Sequence, residues 1–248
     1  MTPPKLSIIV NAYTESGNAA FASNLMSYYA AMPIELKQQF EIIIVDDHSP
    51  VPITAPLGVS PLYLRILRID EDIPWNQPGA RNLGVIHARC DGILMHDLGQ
   101  CAPEITLRKL IKIKDAGRSI YKFPRLDEED NSRMIEHPNT LFMSRGRFLR
   151  YYGYDEEFAG HYGREDSTFV RLQRRMGAKI KTMSKAYPIT HRKKDEDYCY
   201  ATLNRDLTFN TQLMKAKLAK GRLRDESCFS RKFLNFRFHL VQESSLDG

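Results

Sequence analysis

Short apolar runs that end in polar turn residues recur along the first hundred positions of the chain. Residues 6–10 (LSIIV) precede NAYTESGN, residues 42–45 (IIIV) precede DDHSP, and residues 92–95 (GILM) precede HDLGQ. Short, largely β-branched runs bounded by turn residues are typical of buried strands. Residues 62–69 (LYLRILRI) follow the same pattern. The sequence therefore predicts four strands in this region.

Segments with helical spacing lie between and after these runs. Apolar residues recur at intervals of three and four over 18–32, a helix is expected from Gly79, and amphipathic segments cover 102–117 and 164–177. Strands that alternate with helices indicate an α/β fold with a mostly parallel central sheet flanked by helices. Further short strands are predicted at 119–126, 139–144, 179–183 and 187–191.

Polar side chains gather where the predicted strands end. In an open parallel sheet, ligands bind outside the carboxyl ends of the strands. Five polar residues fall at this edge of the sheet: Asn11, Tyr13, Asp46, Asp47 and Asp97. A single polar residue there is an ordinary turn residue, but five together favour a ligand-binding site.

Composition restricts the class of protein. The chain has 248 residues and 42% hydrophobic content, enough for one large domain. Its 36 Lys and Arg exceed its 30 Asp and Glu by six, which is too diffuse an excess to indicate nucleic acid. The four cysteines are widely spaced, which favours reduced thiols in a cytoplasmic protein over a zinc knuckle or a disulfide framework. No signal sequence or apolar run of membrane-spanning length is evident.

The character of the sequence changes near Arg192. Residues 192–248 contain twelve Lys and Arg and eight Asp and Glu, and predict a basic, mainly helical C-terminal extension. Aromatic and basic residues alternate over 229–240. This segment is interpreted either as an amphipathic helix at an anionic membrane or as aromatic side chains packed on the main domain.

The motifs taken in order resemble family 2-like glycosyltransferases of GT-A fold. The resemblance covers residues 6–191 and rests on LSIIVNAYTE, IIIVDDHS, GARNLG, GILMHD and GYDEEFAGHYGREDSTF. It implies a nucleotide-diphospho-sugar transferase domain at 1–191, followed by the extension at 192–248. It also implies a nucleotide-sugar donor, with a UDP-sugar favoured, and a saccharide or other hydroxyl acceptor.

The resemblance assigns a nucleotide site to the ends of the strands. Asn11 and Tyr13 are expected to contact the base, and Asp47 or its neighbour Asp46 to accept a hydrogen bond from base or ribose. Arg81 of GARN is expected beside the nucleotide, where a charged planar fork suits phosphate or base recognition. His96 joins this set as a candidate.

The resemblance also assigns an acceptor site to GREDSTF and the loop before it. Asp166 is expected to be the general base that removes the acceptor proton in an inverting transfer, with Glu165 binding an acceptor hydroxyl. The two roles can be exchanged, because adjacent helical residues point in different directions. Three residues of the preceding loop are expected to shape the acceptor subsite or to anchor the loop: Phe158, His161 and Tyr162.

The expected metal motif is incomplete. The family's Asp-x-Asp matches Asp97 and Gly99, so one carboxylate is missing; moving the match by one residue puts His96 first and still supplies a single carboxylate. Asp97 and His191 are nevertheless expected to hold Mn²⁺ or Mg²⁺ with the diphosphate oxygens. The alternative is direct charge compensation of the diphosphate by basic residues at 192–194.

Other classes of protein fit less well. A sugar-nucleotide pyrophosphorylase needs a glycine-rich phosphate loop after the first strand, which NAYTESGN lacks. Acidic residues at the rim of the sheet disfavour a nucleic-acid partner. A non-catalytic nucleotide-sugar-binding protein descended from a transferase remains the alternative. Pocket shape, and with it the choice of sugar, is expected to depend on the loops at 72–79 and 129–139.

Overall fold

Strands and helices alternate along the chain, as the sequence predicts. The computed structural model describes residues 3–58, 61–192, 203–221 and 226–246. The strands are β1 (Leu6–Ala12), β2 (Phe40–Asp46), β3 (Leu64–Ile69), β4 (Gly92–Asp97), β5 (Gln100–Cys101), β6 (Ser119–Lys122), β7 (Arg125–Asp127), β8 (Arg133–Met134), β9 (Leu141–Ser144), β10 (Lys179–Thr182), β11 (Ile189–His191) and β12 (Phe238–Ser244).

Eight strands of the described residues form one sheet in the order β10-β6-β9-β4-β1-β2-β3-β12. The four central strands β4, β1, β2 and β3 run parallel, and β9 and β12 pair antiparallel on either side of them. The central strands are almost wholly buried, as continuous apolar runs in a two-sided sheet require. The predicted α/β fold with a mostly parallel sheet is confirmed.

Helices cover both faces of this sheet. They are α1 (Ala20–Ala30), α2 (Ile34–Lys37), α3 (Gln77–His87), α4 (Glu104–Ile111), α5 (Arg145–Arg150), α6 (Glu165–Arg175) and α7 (Thr208–Gly221). One core joins the sheet to α1, α2 and α4, and a second core joins its other face to α3, α5 and α6. The two cores fix the central strands, and with them the positions of the strand ends.

A smaller sheet lies beside the end of β4. It has the order β5-β11-β7-β8, in which β11 pairs antiparallel with β5 and parallel with β7. The backbone N–H of Arg192 donates to the carbonyl of Gly99 (3.0 Å). This sheet therefore brings the chain after β11 back to the turn that follows β4.

The C-terminal extension contributes both a helix and a strand. α7 packs on α6, whereas β12 continues the main sheet beyond β3, with a register shift between Leu240 and Gln242. The interpretation of residues 229–240 as an amphipathic helix is wrong, because 229–237 form no helix and Phe238 begins β12. Phe229 and Phe236 pack against the main domain, as the other interpretation predicts. In the described residues, no helix combines the length and apolar character needed to cross a membrane.

Candidate functional site

A cavity of about 480 Å³ opens at the carboxyl ends of the central strands. Parallel pairing of β1 with β4 places Asn11 directly beside Asp97, and both residues line the cavity. A second wall is formed by residues 162–167, at the start of α6. The sequence-predicted residues Tyr162, Glu165 and Asp166 lie there. The fold thus brings five of the predicted site residues to one cavity: Asn11, Asp97, Tyr162, Glu165 and Asp166.

Asp97 is held by three side chains from distant parts of the chain. Its Oδ1 accepts a hydrogen bond from Nη2 of Arg81 at 2.5 Å, and its Oδ2 accepts one from Nδ2 of Asn139 at 3.3 Å. Nε2 of His137 lies 3.5 Å from the same Oδ2. Burial alone raises the pKa of Asp97, but the charges of Arg81 and His137 outweigh it and lower that pKa. Asp97 is therefore an anion whose two oxygens are both engaged by the protein.

Arg81 lies behind this cluster rather than in the cavity. Its residue surface is only 1% exposed, and its guanidinium carbon is 5.2 Å from the centre of the Tyr154 ring. Its Nε and Nη1 are buried without a hydrogen-bond partner among the described residues. The predicted contact of Arg81 with a nucleotide stays a prediction, while its observed role is to fix Asp97.

The start of α6 presents two adjacent carboxylates. Gly163 and Arg164 both have a φ of 74°, so the chain reverses direction immediately before the helix. Burial and the neighbouring Asp166 charge raise the pKa of Glu165 to about 7, although Arg81 opposes this shift. Oδ1 of Asp166 accepts a hydrogen bond from the N–H of the next residue, Ser167, within the first turn of α6. The two carboxylates are thus placed in different environments.

The loop before α6 is held from α7. The side-chain amide of Asn210 donates to the backbone carbonyls of Phe158 (3.2 Å), His161 (2.8 Å) and Gly163 (2.8 Å). The His161 ring stacks on Phe209 at 4.0 Å between centroids, outside the cavity lining. Phe158 is buried, in keeping with a loop anchor. His161 and Phe158 therefore shape the loop from outside the cavity.

Tyr162 lines the cavity together with an aromatic neighbour. Its ring lies 4.7 Å from that of Trp75, and the guanidinium carbon of Arg205 lies 5.8 Å from its centre. Trp75 donates from Nε1 to the carbonyl of Asn204 (3.0 Å). Two aromatic rings and one cation from three chain segments thus form one end of the cavity.

The acidic pair after β2 divides into different environments. Asp46 is fully buried, accepts hydrogen bonds from the N–H groups of Ser49 (2.9 Å) and Ile53 (3.2 Å), and pairs with Arg68 at 2.5 Å. It therefore holds the turn after β2. The N–H of Asp47 donates to the carbonyl of Ala12 at 2.8 Å.

Five of the six predicted nucleotide residues lie outside the cavity lining: Tyr13, Asp46, Asp47, Arg81 and His96.

The structure places His96 in the core, away from the cavity. The hydroxyl of Tyr29 accepts from the N–H of Ala102 (3.0 Å) and donates to Nε2 of His96 (2.9 Å), whose Nδ1–H donates to the carbonyl of Asp97 (2.9 Å). Burial lowers the pKa of His96 to about 4, so the ring is neutral. Since both ring nitrogens are engaged in the core, this arrangement does not fit the predicted nucleotide contact.

The described residues do not fit the predicted Mn²⁺ or Mg²⁺ site. A hard divalent ion needs several oxygen ligands. Both oxygens of Asp97 already have partners in the protein: Oδ1 accepts a hydrogen bond from Arg81, and Oδ2 accepts one from Asn139 and lies near His137. His191 lies on β11 opposite Gln100, outside the cavity lining. Within the described ranges, no group of three or more His, Cys, Asp or Glu side chains could hold a metal ion. Of the basic residues predicted as the alternative, Arg192 lies outside the cavity lining, and Lys193 and Lys194 lie outside the described residues.

Several cavity residues are absent from the sequence-based assignment. One is Arg164, which directly precedes α6. The others come from the two loops expected to set pocket shape and from the segment before α7, and they are Trp75, Gln77, His137, Asn139, Arg205 and Leu207. The turn residues of 72–79 and 129–139 signalled loops near the site. Nothing in the sequence pattern signals that residues 205–207, thirty residues beyond the end of α6, return to the cavity.

Comparison with known proteins identifies the fold. The sequence matches no family model and no curated protein. The structure is similar to that of TarS 1–349 from S. aureus in complex with UDP-GlcNAc, with a TM-score of 0.55, 16% sequence identity, and coverage of 92% of this chain and 74% of that one.

Two further TarS structures give the same result. TarS 1–349 has a TM-score of 0.54 and 17% identity, with coverage of 92% of this chain and 73% of that chain. A longer TarS chain has a TM-score of 0.53 and 18% identity, with coverage of 92% and 44%. Likeness at this level of identity establishes a shared fold. The predicted GT-A fold is confirmed.

Proposed function

We propose that this protein is a glycosyltransferase that moves a sugar from a nucleotide-diphosphate sugar, with UDP favoured, to a hydroxyl-bearing acceptor. The observation that carries the proposal is the cavity itself. It lies at the carboxyl ends of parallel strands, has a size ordinary for small-ligand sites, and is lined by Asn11 and Asp97 as well as by Glu165 and Asp166. The UDP-GlcNAc complex of the structurally similar TarS supports the donor class.

Two arginines of the cavity support a diphosphate-bearing donor. Arg164 and Arg205 line it and can oppose the negative charge of a diphosphate. Because the side chains around Asp97 leave no free carboxylate pair for a divalent ion, no step of the proposed reaction passes through a metal. We expect cationic side chains to stabilise the leaving group instead.

Asp166 is the proposed general base. The acceptor hydroxyl attacks the anomeric carbon, its proton passes to the Asp166 carboxylate, and the bond from that carbon to the diphosphate oxygen breaks with its electron pair on the leaving group. Attack opposite the leaving group inverts the anomeric configuration. Asp166 is preferred to Glu165 because it borders a second cavity as well as the first.

The proposal is tested by thermal unfolding with UDP, other nucleotides and UDP-sugars, each with Mn²⁺ and with EDTA. A ligand that binds only the folded state must raise the midpoint. We expect UDP compounds to stabilise the protein in EDTA as well as in Mn²⁺, and UDP-sugars to be consumed when an acceptor is present. Stabilisation without consumption of any donor supports the non-catalytic binding protein. Absence of stabilisation by every nucleotide contradicts both functions.

A further inference from the structure

A second cavity, of about 250 Å³, lies beside the first and has a basic lining. Lys122 at the end of β6 and Arg171 and Arg174 on α6 contribute three positive charges to it. Asp166 is the single carboxylate among its lining residues in the described part of the chain, and it lines the first cavity too. The proposed base therefore stands where the two cavities meet.

None of the described carboxylates forms an ion pair with Lys122, Arg171 or Arg174. Several arginines elsewhere do have such a partner, as Arg68 has Asp46 and Arg81 has Asp97. Nη1 of Arg171 donates only to a weak acceptor among the described residues, Sδ of Met214, at 3.8 Å. Three cations that line one concavity without a carboxylate partner among the described residues favour an anionic ligand.

The geometry of α6 fixes how far such a ligand reaches. Positions 166, 170 and 174 share one face of the helix, since residues four apart lie above one another. Eight residues at 1.5 Å rise separate Asp166 from Arg174 by about 12 Å along the axis. In an acceptor that spans the cavity, the anionic group at Arg174 therefore lies on the order of 10 Å from Asp166, the proposed base. The reacting hydroxyl is a different group of the same acceptor and lies at Asp166.

From these observations we infer that the second cavity binds an anionic group of the acceptor, so that the acceptor is a saccharide or polyol chain bearing phosphate or carboxylate groups. This inference rests on the proposed function for the identity of the ligand as acceptor. Arg171 and Arg174 bind the charged group through charge-assisted hydrogen bonds, and Lys122 adds charge from the other side. The reacting hydroxyl of the same chain then reaches Asp166.

The inference is tested by titrating the full chain with a sugar phosphate, a uronate-containing disaccharide and a neutral disaccharide, at low and high salt. We expect at least one charged probe to bind about tenfold more tightly than the neutral one, because a charge-assisted contact contributes on the order of 1.5 kcal/mol. Salt should weaken that preference by screening. The phosphate and carboxylate arms show which anion the site prefers.

The double variant Arg171→Gln/Arg174→Gln should lose the preference for the charged probes and keep its affinity for UDP. Both residues are exposed, so the variant is expected to fold. Lys112→Gln/Lys114→Gln removes the same charge from exposed positions outside both cavities and should retain the preference. Unchanged binding of the charged probes in the arginine variant overturns the inference.

Two further outcomes separate the inference from its rivals. If vesicles of anionic lipid bind to wild type through Arg171 and Arg174 while no charged saccharide does, the surface serves a membrane and the inference is overturned. If UDP fails to bind but the charged probes still depend on these arginines, the anionic site is supported and the proposed transferase is not.

Discussion

The two walls of the main cavity are built in different ways. The strand wall, formed by Asn11 and Asp97, projects from neighbouring parallel strands whose register is fixed by backbone pairing. The loop wall, formed by residues 162–167, follows a loop whose backbone carbonyls are held by a side chain of α7. One wall is positioned by the sheet, and the other by contacts between segments far apart in sequence.

This difference separates stability from specificity. Residues beneath the strand wall are buried in the two cores, so changes there are expected to destabilise the whole domain. The loop before this wall is held by a few polar contacts from α7, those of Asn210 and the ion pair of Lys217 with Asp155 (2.5 Å). Changes there are therefore expected to alter the site locally. Both expectations can be tested with single substitutions.

The largest effect is expected beneath the strand wall. Asp46→Ala removes the ion-pair partner of Arg68 on β3 and the acceptor of two backbone N–H groups in the segment after β2. Breaking such a buried pair should lower the free energy of unfolding by about 3–5 kcal/mol. Urea denaturation measures the loss. Asp70→Asn is the control, because its carboxylate pairs with His239 near the surface and should cost less than about 1 kcal/mol. Equal losses of unfolding free energy in Asp46→Ala and Asp70→Asn would show that the buried Asp46 carboxylate stabilises the fold no more than a carboxylate paired near the surface.

A smaller effect is expected in the loop wall. Asn210→Ala removes three hydrogen bonds to the loop before α6 and should cost about 2–3 kcal/mol. If the loop wall serves the acceptor, the variant should also weaken acceptor binding and leave UDP affinity unchanged. Gln212→Ala, at an exposed position of α7, is the matched control. A loss of UDP affinity equal to the loss of acceptor binding would show that the two walls are not independent.

The smallest effect is a change confined to a range of pH. Burial and Asp166 raise the pKa of Glu165 from its ordinary value of 4.5 to about 7, so the folded protein binds this proton more tightly than the unfolded chain. Its contribution to stability is complete below pH 4.5 and is lost as pH rises to about 7. The Glu165→Gln side chain is neutral at every pH and does not lose this contribution. The free energy of unfolding of the variant, relative to wild type, should therefore increase between pH 4.5 and about 7.

Glu157→Gln gives the opposite sign. Burial alone raises the pKa of Glu157, but contacts with Lys217 and Ser230 outweigh it and lower that pKa. Its carboxylate therefore stabilises the folded state at neutral pH, and the variant should lose stability relative to wild type as pH rises. Urea denaturation at several pH values measures both differences. A parallel response of the two variants contradicts the assigned environments.

Much of the strand wall could be predicted from the sequence, because short apolar runs and the turn residues after them are local signals. Asn11 and Asp97 follow such runs, and the parallel topology places their ends together. The start of α6 was predicted in the same way, from acidic residues before an amphipathic segment. In each case neighbouring residues along the chain determine the element.

The remaining features depend on contacts that leave no local pattern. His96 precedes Asp97 on β4, yet alternation along a strand turns its side chain to the opposite face, where Tyr29 binds it. The engagement of Asp97 by Asn139 and His137 joins segments about forty residues apart. The strand β12 was missed because alternating aromatic and basic residues fit an edge strand as well as a helix.

The central claim is that Asp166 accepts the acceptor proton at the meeting point of the two cavities. It is tested most directly by measuring donor turnover and UDP affinity together in wild type, Asp166→Asn and Glu165→Gln. We expect Asp166→Asn to lower turnover by about 100-fold to 10,000-fold, with UDP affinity unchanged and a smaller loss in Glu165→Gln. Wild-type turnover in Asp166→Asn, or a larger loss in Glu165→Gln, would contradict this assignment.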